Sequence, residues 1–400
     1  MDLTLARRPG EPATADQKWA LAVADVNWFT TENLFHEVSR DGVSTLLLSC
    51  IDYRNAWRRG QRPWAHWGSP VRAQGPRHWR RELVLPSGWM KSFPRLGMRP
   101  IASAVRSWKR RVARDVPLAL VMTYPYYAFL RDQLDPATSV YFNLDDYGLY
   151  WPERAAEIRE LERRMVRASD VTVCVSRLRA DELRAAVPEA AERIHHLPHG
   201  APASLIADQP WDRPAPPPDD LAHLPRPLLG YIGSMEDRVD WTLLARLADA
   251  LPRASLVLIG RPAPEGQGGL WVEDYRRCVA RSNVHVLGWR SQGSLADYYR
   301  AFDVNLIPYR ADHAFNRACC PTKIMDGMGC GRPIVSTDLP ECRLHADLFD
   351  VATDLDGFLD AVRAILDLGS DDGRAALRHD HARRNTCAAV VHRLLDMLPG

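Results

Sequence analysis

The sequence predicts an α/β protein of two domains, each a doubly wound parallel sheet. Three observations carry that prediction. Apolar runs of five to eight residues alternate with amphipathic segments along most of the chain, the pattern of strands joined by crossover helices. At 400 residues the chain is too long for one ordinary core. A Pro-dense stretch, "DQPWDRPAPPPDDLAHLPRP" (208–227), interrupts the alternation where neither a helix nor a central strand can form.

In the first half, "WALAVADV" (19–26) and "VSTLLLSC" (43–50) read as strands, with a helix around Glu32–Ser39 between them. "PLALVMT" (117–123), "TSVYFNL" (138–144), "SDVTVCVS" (169–176) and "RIHHLPHG" (193–200) continue the sheet. In "PERAAEIRELERRMVRA", Ile158, Leu161 and Met165 fall at i, i+3 and i+7, one apolar face of a helix. After the Pro-dense stretch come "LLGYIGS" (228–234), "ASLVLIG" (254–260), "VHVLG" (284–288), "DVNLIPY" (303–309) and "RPIVST", separated by helical segments. Two more helices close the chain near 355–367 and 373–397. The expectation is two Rossmann-like units, residues 1–207 and 228–372, joined by a linker at 208–227. Residues 373–400 form a C-terminal helix that returns to the first unit. Two such units leave a cleft where the carboxyl ends of both sheets meet a ligand.

The net charge of +2 hides an asymmetry. Between Arg54 and Arg114 there are sixteen Lys and Arg and one acid, Glu82. The same segment holds Trp57, Trp64, Trp67, Trp79, Trp89 and Trp108, and reads as a basic insertion too rich in Pro and Trp for regular packing. Basic side chains with Trp suit an anionic membrane surface. The alternative is a solvated insertion whose charge serves solubility. Nucleic acid is excluded as a partner, because no RNP, zinc-finger or helix-turn-helix pattern accompanies the charge. The eight cysteines include no Cys-x-x-Cys pair, so a reduced cytoplasmic protein is expected. No apolar leader and no uncharged run of eighteen apolar residues is present, which leaves a peripheral place on the inner face of the plasma membrane.

In the second unit the strand ends read Gly233-Ser234, Gly260-Arg261, Gly288-Trp289-Arg290 and Pro308-Tyr309-Arg310, where ligand contacts belong in such a sheet. The stretch "CCPTKIMDGMGCGRPIVSTD" (319–338) adds a short helix opening near Pro321, with Thr322 and Lys323 at its start and Asp326 one turn on. Free N–H groups and an ammonium suit a diphosphate, and Arg261 or Arg310 can assist them. A carboxylate suits the vicinal hydroxyls of a ribose. The other reading of Lys323 and Asp326 is an i,i+3 ion pair on a solvated helix.

Most of 227–345 resembles the donor domain of GT-B glycosyltransferases. The stretches that carry it are "GYIGSMEDRVDWTLL", "LVLIGRP", "NVHVLGWRSQGSLADYYRAFDVNLIPYR" and "PTKIMDGMGCGRPIVSTDLPE". They are similar to family 4-like bacterial enzymes and to the xanthan glucuronosyltransferase group, whose pattern is P-x-K-x-x-E-x-x-x-x-G-x-P-V-V. The resemblance implies a nucleotide diphosphate sugar as donor and no cofactor or bound metal. It places Lys323 at the diphosphate, Asp326 at the ribose and Tyr309 along the site. The backbone of Gly288–Arg290 goes to the base, and Gly233-Ser234 to the diphosphate or donor sugar. Two departures stand out. Ala318 occupies the position of the first of two family 4 Glu residues, and the second is the shorter Asp326. They favour the xanthan-type group. In the first unit the resemblance is thinner, chiefly "VYFNLDDY" and "ASDVTVCVSRLRADEL".

An inverting transfer needs a base for the acceptor hydroxyl. Asp145 and Asp146 directly follow the strand "TSVYFNL", and the resemblance favours Asp145. The competing reading is an Asx turn or cap leading into the next helix. Glu32, His36 and Asp25 near the first strand are further candidates, and His199 is expected on the acceptor side. Asp354-Leu355-Asp356 has a metal-holding form in other glycosyltransferases but reads here as a helix cap. His195, His196 and His199 lack a carboxylate or Cys spaced to complete a metal site. The expected function is transfer of a hexose or uronic acid to a lipid-linked or polysaccharide acceptor. Alternatives are a soluble acceptor, a sugar-nucleotide epimerase of the same fold, or a silent binding protein, which Ala318 favours.

Overall fold

The protein is described from a computed structural model, which covers residues 18–26, 29–36, 38, 42–58, 60, 70–207, 215–263 and 269–399. Packing divides the chain into two units: residues 1–198 with 390–400, and residues 199–389.

The first unit is built on an eight-stranded sheet. Its strands are β1 (Trp19–Ala24), β2 (Val43–Asp52), β3 (Arg72–Gly75), β4 (His78–Leu85), β5 (Leu118–Met122), β6 (Thr138–Asn143), β7 (Val171–Cys174) and β8 (Ile194–His196). Their spatial order is β3-β4-β2-β1-β5-β6-β7-β8. All neighbours are parallel except β3, which runs antiparallel to β4. β5 and β6 are buried at every residue, as strands covered on both faces must be, and this explains their unbroken apolar character. From β1 the chain winds one way to β2 and later the other way to β5. The carboxyl end of β1 is therefore a topological switch point.

The basic segment overturns the expectation of irregular structure. It supplies the β3–β4 hairpin, which pairs onto β2 from Thr45–His78 to Asp52–Leu85. It also supplies a helix at Pro94–Val112, whose Met98, Ile101, Ala102, Val105 and Trp108 are buried. Trp108 is fully buried against Trp79, with ring centroids 6.0 Å apart, and Trp89 is buried too. Their indoles fill a core, and Arg77, Arg80 and Arg81 of the hairpin each bury part of the guanidinium group as well. Of the six tryptophans only Trp57 stands exposed among the described residues, and Trp64 and Trp67 lie outside them.

The second unit carries six parallel strands: β9 (Leu228–Ile232), β10 (Ser255–Ile259), β11 (Val284–Gly288), β12 (Val304–Ile307), β13 (Ile334–Thr337) and β14 (Asp350–Ala352). The order is β11-β10-β9-β12-β13-β14, so the switch point lies between β9 and β12. β14 is three residues long with a polar start, too short to announce itself in sequence. The predicted final helix at 373–397 is two helices, Ala375–Arg384 and Cys387–Asp396.

The expected linker at 208–227 also differs. Residues 208–214 lie outside the described residues. The rest packs on the second unit: Leu221 is buried with Leu228, Val257, Ile259, Tyr298 and Phe302. Among the described residues no helix is long and apolar enough to cross a membrane.

If the basic segment is core, Trp108→Ala should destabilise the first unit by about 3–5 kcal/mol. Trp57→Ala, at an exposed site, should stay within about 0.5 kcal/mol of the parent. Denaturant unfolding followed by fluorescence distinguishes them; equal effects would contradict the packing described.

Candidate functional site

In the second unit the residues at the switch point converge on one side chain. Lys323 opens the helix Lys323–Gly329, just behind Thr322. Its ammonium lies 5.6 Å from the ring centroid of Tyr231 at the end of β9, and 5.1 Å from that of Tyr309, just past β12. The two rings stand edge to face, and the faces of electron-rich rings attract a cation. The Tyr231 hydroxyl donates to the Ser234 carbonyl at 2.9 Å, fixing the turn that holds Gly233. A Cβ on Gly233 would fall 2.7–2.8 Å from the end of the Lys323 side chain, so only glycine leaves the ammonium where it is. Gly260 has φ +146°, and a Cβ there would fall 2.0 Å from the Gly233 carbonyl oxygen. The two glycines bring the ends of β9 and β10 together under Lys323.

The ion-pair reading of Lys323 and Asp326 is not what the structure adopts. Among the described residues Lys323 has no carboxylate at ion-pair distance. Asp326 instead faces the Tyr299 hydroxyl at 3.5 Å and is half-buried. Burial pushes its carboxyl up to about 7, against the opposing pull of Lys323 and of hydrogen bonds from Tyr299 and Thr322. A cation with no carboxylate at ion-pair distance among the described residues and a carboxyl that burial pushes up to about 7 stand one helical turn apart.

The other sequence candidates separate into groups. Ser234, Arg261 and Trp289 stand exposed at the ends of their strands. Gly288 closes β11 and accepts the Gly260 N–H at 3.0 Å. Arg290 is committed elsewhere: its guanidinium pairs with Asp220 at 2.8 Å and meets the Tyr298 hydroxyl at 3.0 Å and the Leu287 carbonyl at 2.6 Å. Asp220 comes from the Pro-dense segment, whose packing the sequence concealed. Arg310 pairs with Asp312 at 2.9 Å at the surface. Ala318 ends the helix Ala314–Ala318 and is buried.

Two charged groups here escaped sequence reasoning. Arg238 lies between the rings of Phe315 (4.5 Å) and Tyr309 (6.0 Å). Glu341 is buried beside His199, whose imidazole burial pushes down to about 4. His199 is the first residue of the second unit. The chain turns there because Gly200 packs against the backbone at Thr386–Cys387. Asp354 caps its helix through the Gly357 N–H at 2.8 Å, as read from sequence.

In the first unit the structure separates Asp145 from Asp146. Asp146 caps a short turn, accepting the Gly148 N–H at 2.9 Å, and faces Arg159 and Arg179 at 3.8 Å. Asp145 is half-buried and accepts the Tyr150 hydroxyl at 3.0 Å. Its carbonyl accepts the Asn143 amide at 2.9 Å, and Asn143 joins a buried network with Glu162, Tyr141 and Arg179. At the switch point itself Asp25 accepts the Tyr127 hydroxyl at 2.6 Å, and its backbone N–H donates to Thr123. Glu32 is ion-paired with Arg80, and His36 packs on His78 at 5.7 Å. Both are held by β4, a strand the sequence reading did not contain. Among the described residues no group of three His, Cys, Asp or Glu is placed to hold a metal ion.

The Asp326 carboxyl gives a pH test. Its folded value near 7 exceeds the ordinary carboxylate value of about 4. Its contribution to stability is therefore present below about pH 4 and lost as pH rises through 7. Asp326→Asn should melt above the parent at pH 8 and level with it at pH 4. The same difference in melting temperature at both pH values would contradict the buried carboxyl.

Residues 226–367 match the family model described as Glycosyl transferases group 1. Over 187 residues the chain is 22% identical to TuaH of Bacillus subtilis, assigned by name to teichuronic acid biosynthesis as a glycosyltransferase. That alignment covers 47% of this chain and 45% of TuaH, less than half of its length. Solved structures match over nearly the whole chain. Sucrose-phosphate synthase from Thermosynechococcus elongatus does so at a TM-score of 0.66 and 14% identity, covering 95% of this chain and 98% of that one. HepE from Anabaena, in complex with UDP and glucose, gives 0.62 and 13%, covering 94% and 98%. A UDP-forming trehalose-phosphate synthase from Burkholderia xenovorans gives 0.66 and 12%, covering 96% and 100%. The chain thus has the fold of GT-B glycosyltransferases, and its residues 226–367 are similar to the glycosyl transferases group 1 model.

Proposed function

We propose that the protein is a glycosyltransferase. It moves a hexose or uronic acid from a nucleoside diphosphate sugar to a lipid-linked or polysaccharide acceptor, in cell-envelope or exopolysaccharide synthesis. The observation that carries the reading is the Lys323 ammonium, held between two tyrosine faces with no carboxylate partner among the described residues. A cation so placed suits a diphosphate, whose charge grows as its bond to the anomeric carbon breaks. Asp326 is the proposed acceptor for the ribose hydroxyls. In the first unit Asp145 takes the proton of the acceptor hydroxyl as its oxygen bonds to the anomeric carbon, and the diphosphate leaves with the bonding pair. In this reading no metal takes part. The UDP complex of HepE and the name of TuaH support the donor class and a polysaccharide product.

A cytoplasmic place on the inner face of the plasma membrane is part of the proposal. Tyr53, Trp57, Phe93 and Leu96 are 48–69% exposed, just beyond the carboxyl ends of the neighbouring strands β2 and β4. Arg54, Arg58, Arg95 and Arg99 stand exposed around them. Apolar side chains ringed by guanidinium groups suit an anionic lipid surface.

Lys323→Ala should lower turnover of the nucleotide sugar by about 10²–10³-fold with the melting temperature kept. Gly233→Ala should act in the same direction by displacing the ammonium. Undiminished turnover in Lys323→Ala would refute the diphosphate assignment. For the membrane, the protein should float with phosphatidylglycerol vesicles at low salt and not with phosphatidylcholine vesicles, and Trp57→Ala with Phe93→Ala should weaken flotation. A parent protein that stays at the bottom of the gradient with both lipids has a soluble acceptor.

A further inference from the structure

The first unit carries an aromatic cluster that the proposed chemistry does not use. Five rings come from two short segments, one after β5 and one after β6. Tyr124 stacks on Tyr126 with centroids 5.5 Å apart, and meets Tyr147 edge-on at 4.5 Å and Trp151 edge-on at 5.9 Å. Tyr150 lies 5.8 Å from Trp151 and 6.2 Å from Tyr147. Tyr126 and Tyr147 are buried and form the floor; Tyr124, Tyr150 and Trp151 are half-buried and reach solvent. The floor is fixed by polar contacts: Tyr147 donates to the Thr123 carbonyl, and Tyr126 to Glu157 at 3.1 Å.

We infer that this cluster binds a pyranose ring of the acceptor, an inference that rests on the glycosyltransferase reading. An aromatic face carries negative charge density. The axial C–H bonds of a pyranose form a weakly positive apolar face that stacks on it. The hydroxyls at the ring edge then need hydrogen-bonding partners, and these border the rings. Asp145 is held by Tyr150 at 3.0 Å, and Arg154 lies over Tyr126 at 5.8 Å and pairs with Glu157. A lipid chain would call for a wholly apolar wall, whereas this one is rimmed by two carboxylates and a guanidinium. The cluster stands at the carboxyl ends of β5 and β6, on the same strand end as Asp145, so a ring stacked there presents its hydroxyls toward that carboxylate.

Saturation-transfer NMR of the intact protein with methyl pyranosides (gluco, galacto, manno and glucurono) and their disaccharides tests this. Signals should be strongest for the axial protons of one ring face. Trp151→Leu and Tyr124→Leu, which keep bulk but remove the ring, should each weaken binding about tenfold, the equivalent of one stacking interaction. Trp151→Phe should recover most of it, which a merely structural role for bulk would not require. Thermal shift by UDP and other nucleoside diphosphates should be unchanged in all three. Pyranoside binding that survives both leucine variants overturns the inference, as does a parent protein that binds no pyranoside. Failure of every nucleoside diphosphate to bind, with pyranoside binding intact, defeats the glycosyltransferase reading and leaves the platform standing.

Discussion

Parallel strands cannot be joined by hairpins. Each connection must cross over the sheet, and it does so with one hand. The chain can cover both faces of a sheet only by reversing its direction of winding once. At that reversal two connections leave in opposite directions and the strand ends between them stay uncovered. In the first unit the reversal falls at β1, between β2 and β5; in the second it falls between β9 and β12. Asp25 lies at the first. Tyr231, Gly233, Tyr309 and Lys323 lie at the second, drawn from elements about a hundred residues apart.

That constraint explains why the second unit was legible in sequence and why its reading was incomplete. Strand ends can be read from apolar runs, which gave Gly233 and Tyr309, and the Pro321 helix start gave Lys323. Tyr231 was missed, because a tyrosine inside "LLGYIGS" looks like core. It is core by burial, yet one ring face meets Lys323. The side-chain partner of Arg290 was hidden for a different reason: Asp220 lies in a segment read as a linker. Side-chain direction and long-range pairing are properties of packing, and local spacing does not encode them.

The first unit was harder to read because charge masked its strands. β4, "HWRRELVL", is half-exposed over most of its length and buried only near its end. Period-two alternation fades when guanidinium stems lie along the sheet. Without β4, Glu32 and His36 looked available, since Arg80 and His78 both sit on that strand. Asp145 and Asp146 were inseparable for a related reason. Only the buried partners decide which carboxylate turns inward, and Arg179 lies thirty-three positions from Asp146 in sequence.

The arrangement of Lys323 and Asp326 runs against stability. On an isolated helix a cation and an anion three positions apart gain a few tenths of a kcal/mol by pairing, and a half-buried carboxylate gains more. Here Gly233 and the two tyrosine faces hold the ammonium away, while Asp326 remains in surroundings that push its carboxyl up to about 7. A protein selected for stability alone would close the pair or replace both residues by apolar ones. Strain of this kind is expected where a ligand supplies the missing partner. A nucleoside diphosphate would supply both: anionic oxygens for the ammonium and hydroxyl donors for the carboxylate.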